Sequence, residues 1–124
     1  MNRMREVMTT RDRDRMLDGF IEVFSDFWAQ NRMLLKRIHG IAAIDPEFGK
    51  AVQARNQRRR GAALLVVERL ESGEPGRGDR ERRAAALAAL TSFEFFDALA
   101  ESTGSMERAR RGLPELIKRA LLSL

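Results

Sequence analysis

The sequence predicts an all-α protein, and three observations carry that prediction. Every long apolar pattern repeats at steps of three and four residues, the spacing of one helix face. No stretch alternates β-branched and aromatic residues with polar ones, as a half-buried strand would. The run from Ala84 to Ala100, which contains LTSFEFFDAL, is apolar on nearly every side of a helix. A surface helix of a small domain needs one apolar stripe about 100° wide, whereas a helix apolar all round must be covered from more than one direction. A chain of 124 residues suits one domain and one core. The run is therefore expected to be core on one side and subunit interface on the other.

Four main helices, one of them broken, and one shorter helix are expected, with residues 1–10 as a frayed or partly ordered lead-in. The first helix spans about Thr10 to Asn31. Met16, Phe20, Phe24, Phe27 and Asn31 fall at steps of three and four, Leu17, Ile21 and Trp28 widen the stripe, and acids near the start suit the helix dipole. The short helix, Arg32 to about Ala43, has Leu34, Leu35, Ile38 and Ile41 as its apolar face, and Gly40 weakens its end. Asp45-Pro46-Glu47 is a strong start signal for the next: a cap, a proline where a missing N–H is harmless, and an acid at the positive end of the dipole. That helix runs to about Leu70 on Phe48, Val52, Ala62, Leu65, Val66 and Leu70. Its middle, Arg55 to Arg60, is mostly charged and expected to be wet. ESGEPGRG, residues 71–78, reads as a loop. A fourth helix is expected from the cap Asp79 to about Ser102, with Gly104 at C′. Ser105 caps the last, which Pro114 is expected to break or kink near Gly112-Leu113.

Composition limits the function classes. Hydrophobic residues make up 44% and charged residues 33%, the balance of a globular chain. No cysteine is present, so disulfides, thiol nucleophiles and thiolate metal sites drop out. A cytoplasmic location is the expectation. No apolar run approaches the ~18 residues of a membrane span, and MNRMREVMTTRDRDRM lacks the apolar stretch of a secretory signal. The 23 basic residues, almost all arginine, outnumber 18 acidic ones for a net charge of +5. They are spread along the chain, and high arginine with much alanine also reflects GC-rich coding, so direct nucleic-acid binding is not the preferred reading. Arg58-Arg59-Arg60, with Arg55 a turn earlier, lacks interleaved aromatics and reads as a solvated face.

An enzyme needs a constellation of groups, and none is found. His39 is the sole histidine, and no metal-binding, phosphate-loop or nucleophile motif is present. No metal or cofactor is expected. Glu94 and Asp97 share a helix face and read as partners for arginines or backbone rather than as an acid–base pair. His39 is either a boundary residue with one hydrogen bond or a polar contact in a ligand pocket. The stripe Phe20, Phe24, Phe27, Trp28 likewise is core, or the wall of a cavity between helices.

IDPEFGKAVQARNQRRRGAALLVVERL, RRAAALAALTSFEFFDAL and a last helix ending LIKRALLSL resemble the C-terminal region of TetR-family transcriptional regulators, and FWAQNRMLLKRIHGIAAIDPE resembles the helices that wall their effector cavity. The resemblance runs from Asp12 to Leu124 on soft apolar, Asp-Pro and Phe-Glu patterns. It implies a helical bundle whose last two long helices form a four-helix interface in a homodimer, with a small, largely apolar effector held between helices. On that analogy Phe20, Phe24, Phe27 and Trp28 are walls, Asn31 and His39 are polar contacts, and Val52 and Phe93 close the far side. Leu87, Leu90, Phe95, Ala98, Leu113, Ile117 and Leu121 are the implied dimer interface, a two-fold and self-complementary one. The family's N-terminal helix-turn-helix domain has no counterpart in this sequence, so DNA would be reached only through a missing domain. The alternative is a stand-alone helical homodimer that partners other regulators and takes no small ligand.

Overall fold

A computed structural model of the chain describes residues 3–71 and 79–124. Seven helices, and no strand, make up the described residues: α1 Arg3–Thr9, α2 Arg13–Gln30, α3 Arg32–Ala42, α4 Pro46–Leu70, α5 Arg80–Leu90, α6 Phe93–Thr103 and α7 Met106–Leu122. None is long and apolar enough to cross a membrane. The loop expected at 71–78 lies, apart from Glu71, outside the described residues.

The central helix is α2. Its Met16, Leu17, Phe20 and Ile21 meet Ala63, Val66 and Val67 of α4, Leu87 and Ala88 of α5, Phe96 and Ala100 of α6, and Leu113 and Ile117 of α7 in one core. Burial of each large side chain contributes roughly 1.5–3 kcal/mol. Ion pairs across the surface add register: Lys118 reaches Asp18 at 2.7 Å, and Arg110 reaches Asp26 at 3.2 Å, both tying α7 to α2. In contrast, α3 gives the core only Leu35, and the first half of α4 buries no large apolar side chain. The two halves of α4 therefore do different work: the second completes the core, and the first stands away from α2.

Helix starts follow the sequence signals closely. The Asp12 carboxylate accepts from the backbone of Asp14 and Arg15, Asp45 from Glu47 and Phe48, and Ser105 from Arg108. Gly104 ends α6 with φ 71°, a left-handed conformation that a residue without Cβ takes at little cost. Asp79 precedes α5 but makes no side-chain capping bond.

Two expectations change, and the lead-in is helical over Arg3–Thr9. There α1 lies so close on α2 that a Cβ at Gly19 would stand 2.8 Å from a methyl of Val7. The Arg69 guanidinium then donates to the carbonyls of Met8 and Thr10, fixing the end of α1. The long fourth helix is two helices, α5 and α6, separated at Thr91-Ser92. The Thr91 hydroxyl turns back to the Leu87 carbonyl at 2.7 Å, and the Ser92 hydroxyl caps the new helix by accepting from Phe95 N–H. The last helix, by contrast, is unbroken at Pro114. Loss of a bond there costs about 3 kcal/mol. Buried Leu113 before it, and Ile117 and Leu121 after it, together outweigh that cost, at roughly 1.5–3 kcal/mol each.

Candidate functional site

Because α3 and the first half of α4 stand off from α2, they leave a cavity of about 500 Å³ between the helices. That volume lies within the range of small-molecule sites, roughly 300–1,000 Å³. One wall is aromatic. Phe24, Phe27 and Trp28 line the cavity from α2, with Leu35, Ile38 and His39 from α3 and Val52 from α4. The rings are mutually packed: Phe24 lies against Trp28 with centroids 6.0 Å apart, and Phe27 meets Trp28 edge-on at 5.5 Å. The Trp28 indole N–H donates to the Thr91 carbonyl at 2.8 Å, so the break between α5 and α6 supplies the acceptor that orients the wall.

The opposite wall is basic. Arg55, Asn56, Arg58 and Arg59 of α4 line the cavity, and Arg3 of α1 stands at its rim with Met4. Arg59 is only 7% exposed, against the expectation that the middle of this helix is wet. Its Nε donates to the Ala88 carbonyl at 3.3 Å and its Nη1 to Asn56 Oδ1 at 2.9 Å, while its guanidinium carbon stands 6.0 Å from the Phe24 ring centre. Burial lowers the Arg59 pKa, with the Glu94 charge partly opposing that effect.

The expected ligand residues divide. Phe24, Phe27, Trp28, His39 and Val52 line the cavity. Phe20 is fully enclosed in the core and meets Phe24 from behind at 5.1 Å. The Asn31 amide donates to the Phe27 carbonyl at the α2–α3 junction. Phe93 backs the wall, stacked on His39 at 4.9 Å and edge-on to Trp28 at 5.7 Å. Both nitrogens of His39 are engaged by protein: Nδ1 lies 2.8 Å from the Leu35 carbonyl and Nε2 lies 3.2 Å from Glu94. Glu94 and Asp97 act as structural partners, since Asp97 takes the Arg32 guanidinium at 2.6 Å and Glu101 takes it at 2.8 Å. These pairs pin α3 to α6, and the bond to Asp97 chiefly raises the Arg32 pKa.

The residues expected at a dimer interface also divide. Leu87, Leu113, Ile117 and Leu121 are buried within the single chain. Leu90 and Phe95 are half-buried and Ala98 is exposed. On α7 the outward apolar side chains are Met106, Leu116 and, at 85% exposure, Leu122. Further apolar surface lies on Met33, Leu34 and Ile41 of α3, Ile44, and Phe48 of α4.

Sequence reasoning missed Arg59 and Asn56, and a signal for them exists. Val52, Asn56, Arg59, Ala63, Val66 and Leu70 form one stripe at steps of three and four. Polar residues in register with an apolar face point inward with it. Among the described residues, no group of three or more His, Asp or Glu side chains could hold a metal ion. Compared with family models, with curated proteins and with solved structures, the chain matches none.

Proposed function

We propose that this chain is a ligand-binding and dimerisation module of the regulatory type that the TetR resemblance implies, with a small, largely apolar molecule held between α2, α3 and α4. The single observation that carries the reading is the cavity of about 500 Å³ walled by Phe24, Phe27 and Trp28. A helical partner protein with no ligand would gain from closing α3 onto α2, because buried apolar area is stabilising. Ligand occupancy would couple to function through helix positions: a ligand shifts an equilibrium only by its differential affinity for the two arrangements. The pins from α3 to α6, Arg32–Asp97 and His39–Glu94, provide such a connection. In the proposed homodimer the outward positions Ala98, Leu116 and Leu122 face the second copy. DNA would be contacted only by a separate domain, and no reaction is assigned to the chain.

Trp28 is the only tryptophan and stands in the cavity wall, so its emission reports occupancy. Titration with 1-octanol as an apolar probe is expected to give a saturable change in emission. Val52→Phe, which narrows the cavity, is expected to weaken that binding at least tenfold without loss of stability. A linear, unsaturable response, or a Val52→Phe variant that binds as wild type, would overturn the reading.

A further inference from the structure

We infer that the cavity is built for an organic anion with an apolar body, its head group held by Arg59 with Arg55 and Arg58. The inference deepens the proposed function and rests on it.

Charge along the cavity is one-sided. Four arginines, Arg3, Arg55, Arg58 and Arg59, line it with one acidic residue, Asp26. Asp26 is already committed, taking Arg3 at 3.2 Å and Arg110 at 3.2 Å. Arg59 is enclosed yet makes no ion pair among the described residues, and Glu94, which acts on it at a distance, is engaged by His39 at 3.2 Å. A buried charge without an opposite partner is costly, and proteins rarely keep one unless something pairs with it.

The donors of Arg59 show where the partner would sit. Nε and Nη1 donate to the Ala88 carbonyl and Asn56 Oδ1, and Nη2 has no acceptor among the described residues. No fully buried side-chain nitrogen or oxygen in the described residues lacks a partner, so Nη2 is not fully enclosed, and the cavity that Arg59 lines is the space we assign to it. An anionic oxygen placed there gains a charge-assisted bond, about twice as strong as a neutral one. Arg55 and Arg58, exposed on the same helix and without an ion pair among the described residues, stand one turn before and beside it. The aromatic wall across the cavity then receives the apolar body. A cationic amphiphile would meet net repulsion, and a neutral one would leave Arg59 unpaired.

The test compares octanoate, 1-octanol and octylammonium, which share an alkyl chain and differ in head charge. Calorimetric titration at low salt is expected to give octanoate at least tenfold tighter than 1-octanol, with octylammonium weakest. Arg59→Met keeps an unbranched side chain in the core and is expected to bring octanoate and 1-octanol within about threefold. Should Arg59→Met not fold, the exposed double change Arg55→Gln with Arg58→Gln is expected to cut the preference for octanoate over 1-octanol at least threefold. If 1-octanol or octylammonium binds wild type as tightly as octanoate, the anion inference falls while the ligand-binding reading stands. If none of the three binds, both fall. If octanoate is preferred but the preference survives the arginine changes, the assignment to these arginines is overturned.

Discussion

The Trp28 indole donates to the Thr91 carbonyl across 63 residues of chain, at 2.8 Å. Thr91 lies where α5 gives way to α6, so its carbonyl is free of a helical partner, and the wall of the cavity is anchored to that break. Trp28→Phe keeps an aromatic ring but leaves the carbonyl without its donor. The expected loss of stability is about 1 kcal/mol, read by denaturant unfolding followed by circular dichroism. A variant as stable as wild type would mean that water replaces the indole without cost.

Leu113 and Leu116 are neighbours on α7 with opposite surroundings: the first is buried in the core, and the second is 38% exposed. Leu113→Ala is expected to cost about 2–5 kcal/mol by leaving a cavity. Leu116→Glu is expected to keep thermal stability near wild type and to lower self-association, measured by sedimentation. Self-association unchanged by Leu116→Glu and by Ala98→Glu would remove the outward faces of α6 and α7 as the dimer surface.

Glu71 accepts from Arg80 at 3.1 Å and from Arg83 at 2.6 Å. Burial alone would raise the carboxyl pKa, but the two guanidinium groups outweigh it and hold the group below its ordinary value of 4.5. A depressed folded pKa means that the ionised carboxylate stabilises the fold. That contribution is full above the ordinary value and fades as pH falls through the lower folded one. Glu71→Gln is therefore expected to be less stable than wild type at neutral pH, with the difference shrinking in acid. Urea unfolding at several pH values checks the sign, and a difference that grows in acid would contradict it.

Capping predicts a smaller effect. Ser105 accepts from Arg108 N–H at 3.2 Å, and Ser105→Ala is expected to cost about 1 kcal/mol by thermal unfolding.

Much of this architecture was legible because helix signals are local. Asp45-Pro46, Gly104 and Ser105 act through atoms within one turn of themselves, so composition at those positions was enough. The break at Thr91-Ser92 was written in capping residues too, but it lay inside an apolar run whose periodicity masked it. The unbroken α7 depends on Leu113, Ile117 and Leu121 meeting α2 and α5, which local rules for Pro114 cannot contain. For the cavity, aromatic spacing on α2 identified Phe24, Phe27 and Trp28 but could not separate them from Phe20. All four share one stripe, and only the distance at which α3 and α4 stand decides which rings are covered. Arg59 was hidden for the opposite reason, a charged letter in an inward register.

The most direct measurement is a methyl and arginine-side-chain NMR titration of the protein with octanoate. The expected result is saturable shifts at Val23, Leu35, Ile38, Val52 and Arg59, which line the cavity, with Val67 and Ile117 of the core unmoved. Shifts confined to the exposed Leu34, Ile41 and Ile44, or none at all, would contradict it.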